Sequence, residues 1–140
     1  RHQRVTERAG AADMTRTHDP CHPLYLDESD TRTEIARVTD VCLACGACAG
    51  VCGVFGVLFA VGGRHGEGGL FVPDEQDRMV PGCIQCGLCV ASCPHTAGPL
   101  GVDMPRTMLR AGAMLRATGQ WGLRRRWEAF LAGRRGIGAV

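Results

Sequence analysis

Eight of the nine cysteines fall into two runs of one spacing. The first is Cys42-x2-Cys45-x2-Cys48-x3-Cys52; the second is Cys83-x2-Cys86-x2-Cys89-x3-Cys93, followed by Pro94. Three thiolates at intervals of three residues let one short loop wrap three corners of an iron–sulfur cube. The fourth cysteine, four residues further on, points away and reaches the neighbouring cube. The pattern therefore predicts two [4Fe-4S] clusters with interchanged fourth ligands. One takes Cys42, Cys45, Cys48 and Cys93, and the other takes Cys83, Cys86, Cys89 and Cys52. Crossing of this kind holds the clusters close together, as electron tunnelling requires. The expected work is moving electrons. Gly53 stands where a proline is usual, which leaves Cys52 the less secure of the two fourth ligands.

Zinc is the main competing use of such residues. Zinc ribbons use two separated Cys-x2-Cys pairs, four ligands per ion, and here each run has a third cysteine that such a site would leave idle. Disulfides compete less well. No signal-peptide pattern stands in the residues given, and the spacing suits clusters better than bridges, so a reducing cytoplasmic setting is expected.

A chain of 140 residues is about one domain long, and its few aromatics (Phe 4, Trp 2, Tyr 1) supply only a modest core. Two clusters tying distant segments together would supply the missing cross-links. The longest apolar stretch, Val54 to Val61, falls far short of the roughly 20 residues of a membrane span. The chain opens at Arg1 rather than Met, which reads as a fragment.

Every basic side chain is Arg. Residues 1–103 hold eight arginines against thirteen acids, whereas residues 104–140 hold eight against Glu128 alone. Each cluster with its four thiolates adds about two negative charges. An acidic cluster region with a basic tail is a poor profile for nucleic-acid binding, so no nucleic-acid partner is expected.

Three regions follow from the pattern: an extended arm over 1–29, a dicluster domain over 30–118, and a basic amphipathic extension over 119–140. Thr31 and Glu34 form a capping-box pair for a short helix ending near Thr39. The glycine-dense run from Gly62 to Gly69 reads as a flexible, non-helical turn, and Leu70 to Val72 as a brief strand or extended stretch stopped by Pro73. Asp103 caps a helix with Pro105 in its first turn and Met104, Met108, Ala111 and Leu115 on one face, ending near Gly119. A further helix from Trp121 would align Leu123, Trp127, Phe130 and Leu131 beside Arg124, Arg125 and Arg126. It either folds onto the domain or docks on a partner or an anionic membrane face. The glycines of Cys45-Gly46 and Cys86-Gly87 match, where backbone would pass close to an inorganic sulfide.

Smaller features carry weaker expectations. Cys21, between His18 and His22, reads as a free loop thiol, and His65 as a solvated loop histidine. His95, next to Cys93-Pro94, is placed to hydrogen-bond a cluster sulfur and raise its potential.

Several stretches carry a family resemblance: Tyr25-Leu26-Asp27, Glu34 to Val38, Phe55 to Phe59, Cys93-Pro94-His95 and Val102 to Ala111 with its Asp103-Met104-Pro105. Over roughly residues 22–118 the chain resembles the N-terminal iron–sulfur portion of heterodisulfide-reductase-related Fe–S oxidoreductases. That group includes the C subunit of anaerobic glycerol-3-phosphate dehydrogenase and is akin to glycolate oxidase iron–sulfur subunits. The resemblance implies a mainly α, α-helical ferredoxin-like fold with the same crossed ligands. It also implies a flavoprotein dehydrogenase partner feeding electrons toward a quinone or disulfide-type acceptor, with peripheral association at the inner membrane face in view. Members of the family usually continue into cysteine-rich domains with a Cys-Cys-Gly signature, and no adjacent cysteines occur here. Either those domains lie on another polypeptide, a cysteine-rich partner protein, or the sequence is truncated. The weakly helical glycine loop keeps an α+β bacterial ferredoxin-like fold open as the alternative. No side chain is expected to perform acid–base catalysis, since the clusters carry the chemistry. A free-standing ferredoxin and an iron–sulfur redox sensor are the rival functions.

Overall fold

A computed structural model describes residues 18–65 and 71–121, and the described elements are all helical, with no strand among them. In chain order they are α1 (Glu28–Cys45), α2 (Gly53–His65), α3 (Pro73–Met79), a 3-10 turn (Val80–Gly82), a single-turn α4 (Leu88–Ala91) and α5 (Met104–Ala117). The mainly α expectation is met, and the α+β alternative finds no strand among the described residues.

Helix α1 is longer at both ends than the Thr31–Thr39 expectation. Its cap is Asp27, whose Oδ1 accepts the Asp30 N–H at 2.8 Å, and Glu28 and Asp30 place negative charge in the first turn. The Thr31–Glu34 capping box therefore does not form; both residues are buried inside the helix, and the Thr31 hydroxyl donates to the Asp27 carbonyl at 2.6 Å. The helix stops at Gly46, which adopts the left-handed conformation at φ 68° and donates its N–H to the Cys42 carbonyl.

The glycine-rich end of α2 is the clearest departure from expectation. Of the run from Gly62 to Gly69, residues 62–65 continue the helix instead of forming a turn, and 66–69 lie outside the described residues. A Cβ on Gly62 would come within 2.5 Å of a Leu43 methyl, so this glycine lets α2 lie close against α1. Phe71 and Val72 form no strand, though Val72 is extended at φ −73° and ψ 156°, and Leu70 lies outside the described residues. Val72 precedes α3, where Pro73 occupies the first turn, Asp74 and Glu75 follow, and the Val72 N–H donates to Glu75 Oε2.

Helix α5 matches expectation closely. Asp103 Oδ1 accepts the Arg106 N–H at 3.0 Å, Pro105 sits in the first turn, and Met104, Met108, Ala111 and Leu115 are all buried. The last helical residue is Ala117, with Gly119 left-handed just beyond. The expected Trp121 helix lies almost wholly outside the described residues.

The core gathers between α1, α2, α5 and the 3-10 turn: Ile35, Val38 and Val41; Val54, Phe55 and Leu58; Met79 and Val80; Met108 and Met114. Burying each such side chain contributes roughly 1.5–3 kcal/mol. Polar links fasten the layers. Arg37 forks onto Glu34 with two bonds of 2.7 Å and donates to the Leu100 carbonyl at 2.6 Å. Arg32 joins α1 to α3 by pairing with Asp77 and donating to the Pro73 carbonyl. Arg110, wholly buried on α5, donates to the carbonyls of Leu24 and Tyr25 and pairs with Asp30. Residues 18–27, ahead of α1, are thus largely turns pinned to the domain, with Tyr25 buried, while residues 1–17 of the expected arm lie outside the described residues.

Candidate metal centres

Each cysteine run is built on the end of one helix and the start of another. Cys42 and Cys45 sit on the last turn of α1; Gly46 then reverses the chain, Cys48 lies in the following turn, and Cys52 immediately precedes α2. In the second run, the 3-10 turn delivers Cys83, Gly87 opens α4 from the left-handed region at φ 74°, Cys89 lies on α4, and Cys93 follows it. The matched glycines are therefore matched in conformation. A Cβ at either would meet no protein atom within 4 Å, so positive φ, rather than crowding by the chain, is what selects glycine there.

The folded chain sorts the eight cysteines into two pockets. One is lined by Cys42, Cys45, Cys48 and Cys93 together with Pro94, His95 and Val102. The other is lined by Cys52, Cys83, Cys86 and Cys89, with Val54, Phe55, Met104 and Pro105 among its walls. Each pocket takes three cysteines from one run and the last cysteine of the other. Among the described residues, no three of His, Cys, Asp and Glu converge as the ligands of one metal ion.

Burial and mutual proximity govern the thiols. Cys42 is pushed up to about 12, first by burial and then by its neighbours Cys93, Cys48 and Cys45. Cys89 is pushed up to about 11 by burial, followed by Cys48, Cys52 and Cys83. Cys48 is raised by burial and then by Cys93 and Cys45. Cys83 is raised by burial, and hydrogen bonds from Gln85 oppose the shift. Cys48 feels both Cys93 of its own pocket and Cys52 of the other, so the two pockets adjoin. The two differ in exposure: Cys86 is exposed at the rim of the pocket it shares with Cys52, Cys83 and Cys89, beside Ile84, which is 80% exposed.

Two hydrogen bonds reach cysteine sulfurs from nearby groups. The backbone N–H of His95 donates to Cys93 Sγ at 3.4 Å, so the contact expected of the His95 side chain is made by its main chain. The Gln85 amide donates to Cys83 Sγ at 3.2 Å. Sequence reasoning passed over Gln85, whose only signal is a polar amide between two cysteines of a run. Cys21 is an exposed free cysteine, in line with expectation. The His65 side chain lies outside the described residues. Among those residues, no helix is long and apolar enough to cross a membrane. No family model, curated protein or solved structure matches the chain.

Proposed function

We propose that this chain is an electron-transfer protein or domain that holds two [4Fe-4S] clusters, one in each cysteine pocket. Single electrons would pass through them between a flavoprotein dehydrogenase and a quinone or disulfide-type acceptor. The observation that carries the reading is the crossed sorting of the cysteines: each pocket is lined by four, three from one run and one from the other. The donor set fits the group. Four sulfur ligands per site, with His95 the only other titratable residue on either wall, suit a cluster that wants thiolates alone. A cube spreads its thiolates more widely than a single ion does, which is compatible with the lack of a tightly converged ligand set.

When bound, a [4Fe-4S] cluster supplies a one-electron couple. The chain's own residues do the rest. Helices α1 and α2 and the 3-10 turn fix where the sulfurs lie, and Val54, Phe55, Met104 and Val102 keep water from the pocket walls. The His95 main chain and the Gln85 amide direct N–H dipoles at two ligand sulfurs. Raised thiol pKa values mean that the ligands give up protons as iron binds, so assembly is favoured by higher pH. Kinship with the heterodisulfide-reductase-related oxidoreductases, the α-helical ferredoxin-like fold and a cytoplasmic setting belong to the same proposal.

Anaerobically prepared protein should contain close to eight iron and eight sulfide per chain, absorb broadly in the visible, and become paramagnetic on reduction. Stoichiometric zinc in a colourless protein would overturn the reading.

A further inference from the structure

Gln85 is the only non-glycine among the described residues with positive φ, at 59°. A side chain in the left-handed region costs on the order of 1 kcal/mol, so something around Gln85 must hold it there. Its amide nitrogen supplies the reason. Nε2 donates to the Pro105 carbonyl at 2.9 Å and to Cys83 Sγ at 3.2 Å. The Pro105 carbonyl can only accept, so nitrogen, not oxygen, faces it, and the second hydrogen of the same nitrogen is directed to the sulfur. The left-handed backbone thus turns one side chain back onto the ligand two residues before it and onto the first turn of α5.

We propose that Gln85 sets the reduction potential of the cluster held by Cys83, Cys86, Cys89 and Cys52, by donating an amide hydrogen bond to the Cys83 sulfur. The inference rests on the cluster reading given above and goes beyond it in assigning a tuning residue to one site. Reduction adds one electron to the cluster, and its charge spreads onto the thiolate sulfurs. A donor aimed at one of those sulfurs stabilises the reduced form and raises the potential. Gln85 acts through Cys83, so it is a positioning residue rather than a catalytic one. The other pocket has no equivalent side chain; its corresponding bond comes from the His95 main chain and no substitution of that side chain removes it. The two clusters are therefore tuned by different means, one by side chain and one by backbone.

The test is a redox titration of the anaerobically loaded chain, followed by electron paramagnetic resonance, with iron and sulfide counted in every sample. Gln85→Leu removes the donor at similar size. Gln85→Gly removes it while relieving the positive φ, so it loads with clusters even where leucine strains the loop. Both variants should lower the potential of one cluster, by about tenfold in its reduction equilibrium (about 59 mV for one electron), and leave the other unmoved. Gln85→Glu, which sets a carboxylate against the sulfur, should lower it further. Fully loaded variants whose two potentials match those of the parent chain overturn the role of Gln85 alone. A parent chain lacking the eight irons overturns the cluster reading and this inference with it.

Discussion

Arg110 shows how one side chain can fix a segment that sequence periodicity leaves undefined. It is wholly buried, yet its guanidinium reaches the Leu24 and Tyr25 carbonyls and Asp30, and stands 5.9 Å from the centre of the Tyr25 ring. Arg110→Met leaves the half-buried Asp30 carboxylate without this partner and removes the bonds to the Leu24 and Tyr25 carbonyls, which costs about 1–3 kcal/mol. Urea unfolding should show that loss, and proteolysis should begin cutting the turns around residues 19–26. His18 makes a second residue-scale case. Burial lowers its pKa from 6.5; Arg110 and Arg106 push the same way, and Glu34 and Asp103 push against. A histidine whose folded pKa is depressed gives stability that is present above about pH 6.5 and lost as pH falls through the folded value. Thermal midpoints should therefore drop between pH 7 and pH 5 more steeply in the parent chain than in His18→Leu. Equal slopes would remove His18 from the account. The grouping of the eight pocket cysteines was legible because it is written in local spacing. Arg110 and Gln85 were not, because their partners lie 85 and 20 residues away along the chain.

Among the helices, legibility followed the strength of the end signals. Helix α5 was readable from Asp103 and Pro105, since cap and first-turn proline both act locally. Helix α3 carries the same kind of signal, Pro73 followed by Asp74 and Glu75, but the proline was read as the stop of a strand. Gly62 of α2 misled for a different reason: its intrinsic preference is outweighed by the close approach of α2 to Leu43 of α1. A comparable approach joins the 3-10 turn to the start of α2. A Cβ on Gly82 would stand 2.9 Å from the Val54 nitrogen and 3.1 Å from the Gly53 carbonyl carbon, both backbone atoms unable to swing aside. Gly82→Ala should therefore cost about 1–3 kcal/mol in chemical unfolding. Because the same contact sets Cys83 beside Cys52, the variant should also lose iron first from the pocket that these two cysteines line. A variant as stable as its parent would show that the turn can retreat without strain.

At the scale of the molecule, the interleaving of the two runs is what the proposed function depends on. Cys93→Ala tests it. The substitution should reduce iron from about eight to about four per chain and spare the cluster held by Cys83, Cys86, Cys89 and Cys52. The double variant with Gln85→Leu identifies the survivor. If the runs exchange their last ligands, the remaining cluster still shifts its potential when Gln85 is replaced; if each run serves itself, it does not. The crossed sorting was legible from spacing, whereas the unequal exposure of the two pockets was not, since it depends on how α4 and the 3-10 turn pack.

The same interleaving bears on how the protein is made. Cys42, Cys45 and Cys48 leave the ribosome long before Cys93, which closes their pocket. An early metal delivery would meet a three-cornered nest with an open fourth side, and Cys52 would likewise wait for thirty further residues before its companions arrive. On the cluster reading, loading of either site would wait until the second run has emerged, when both halves are present and can be completed together.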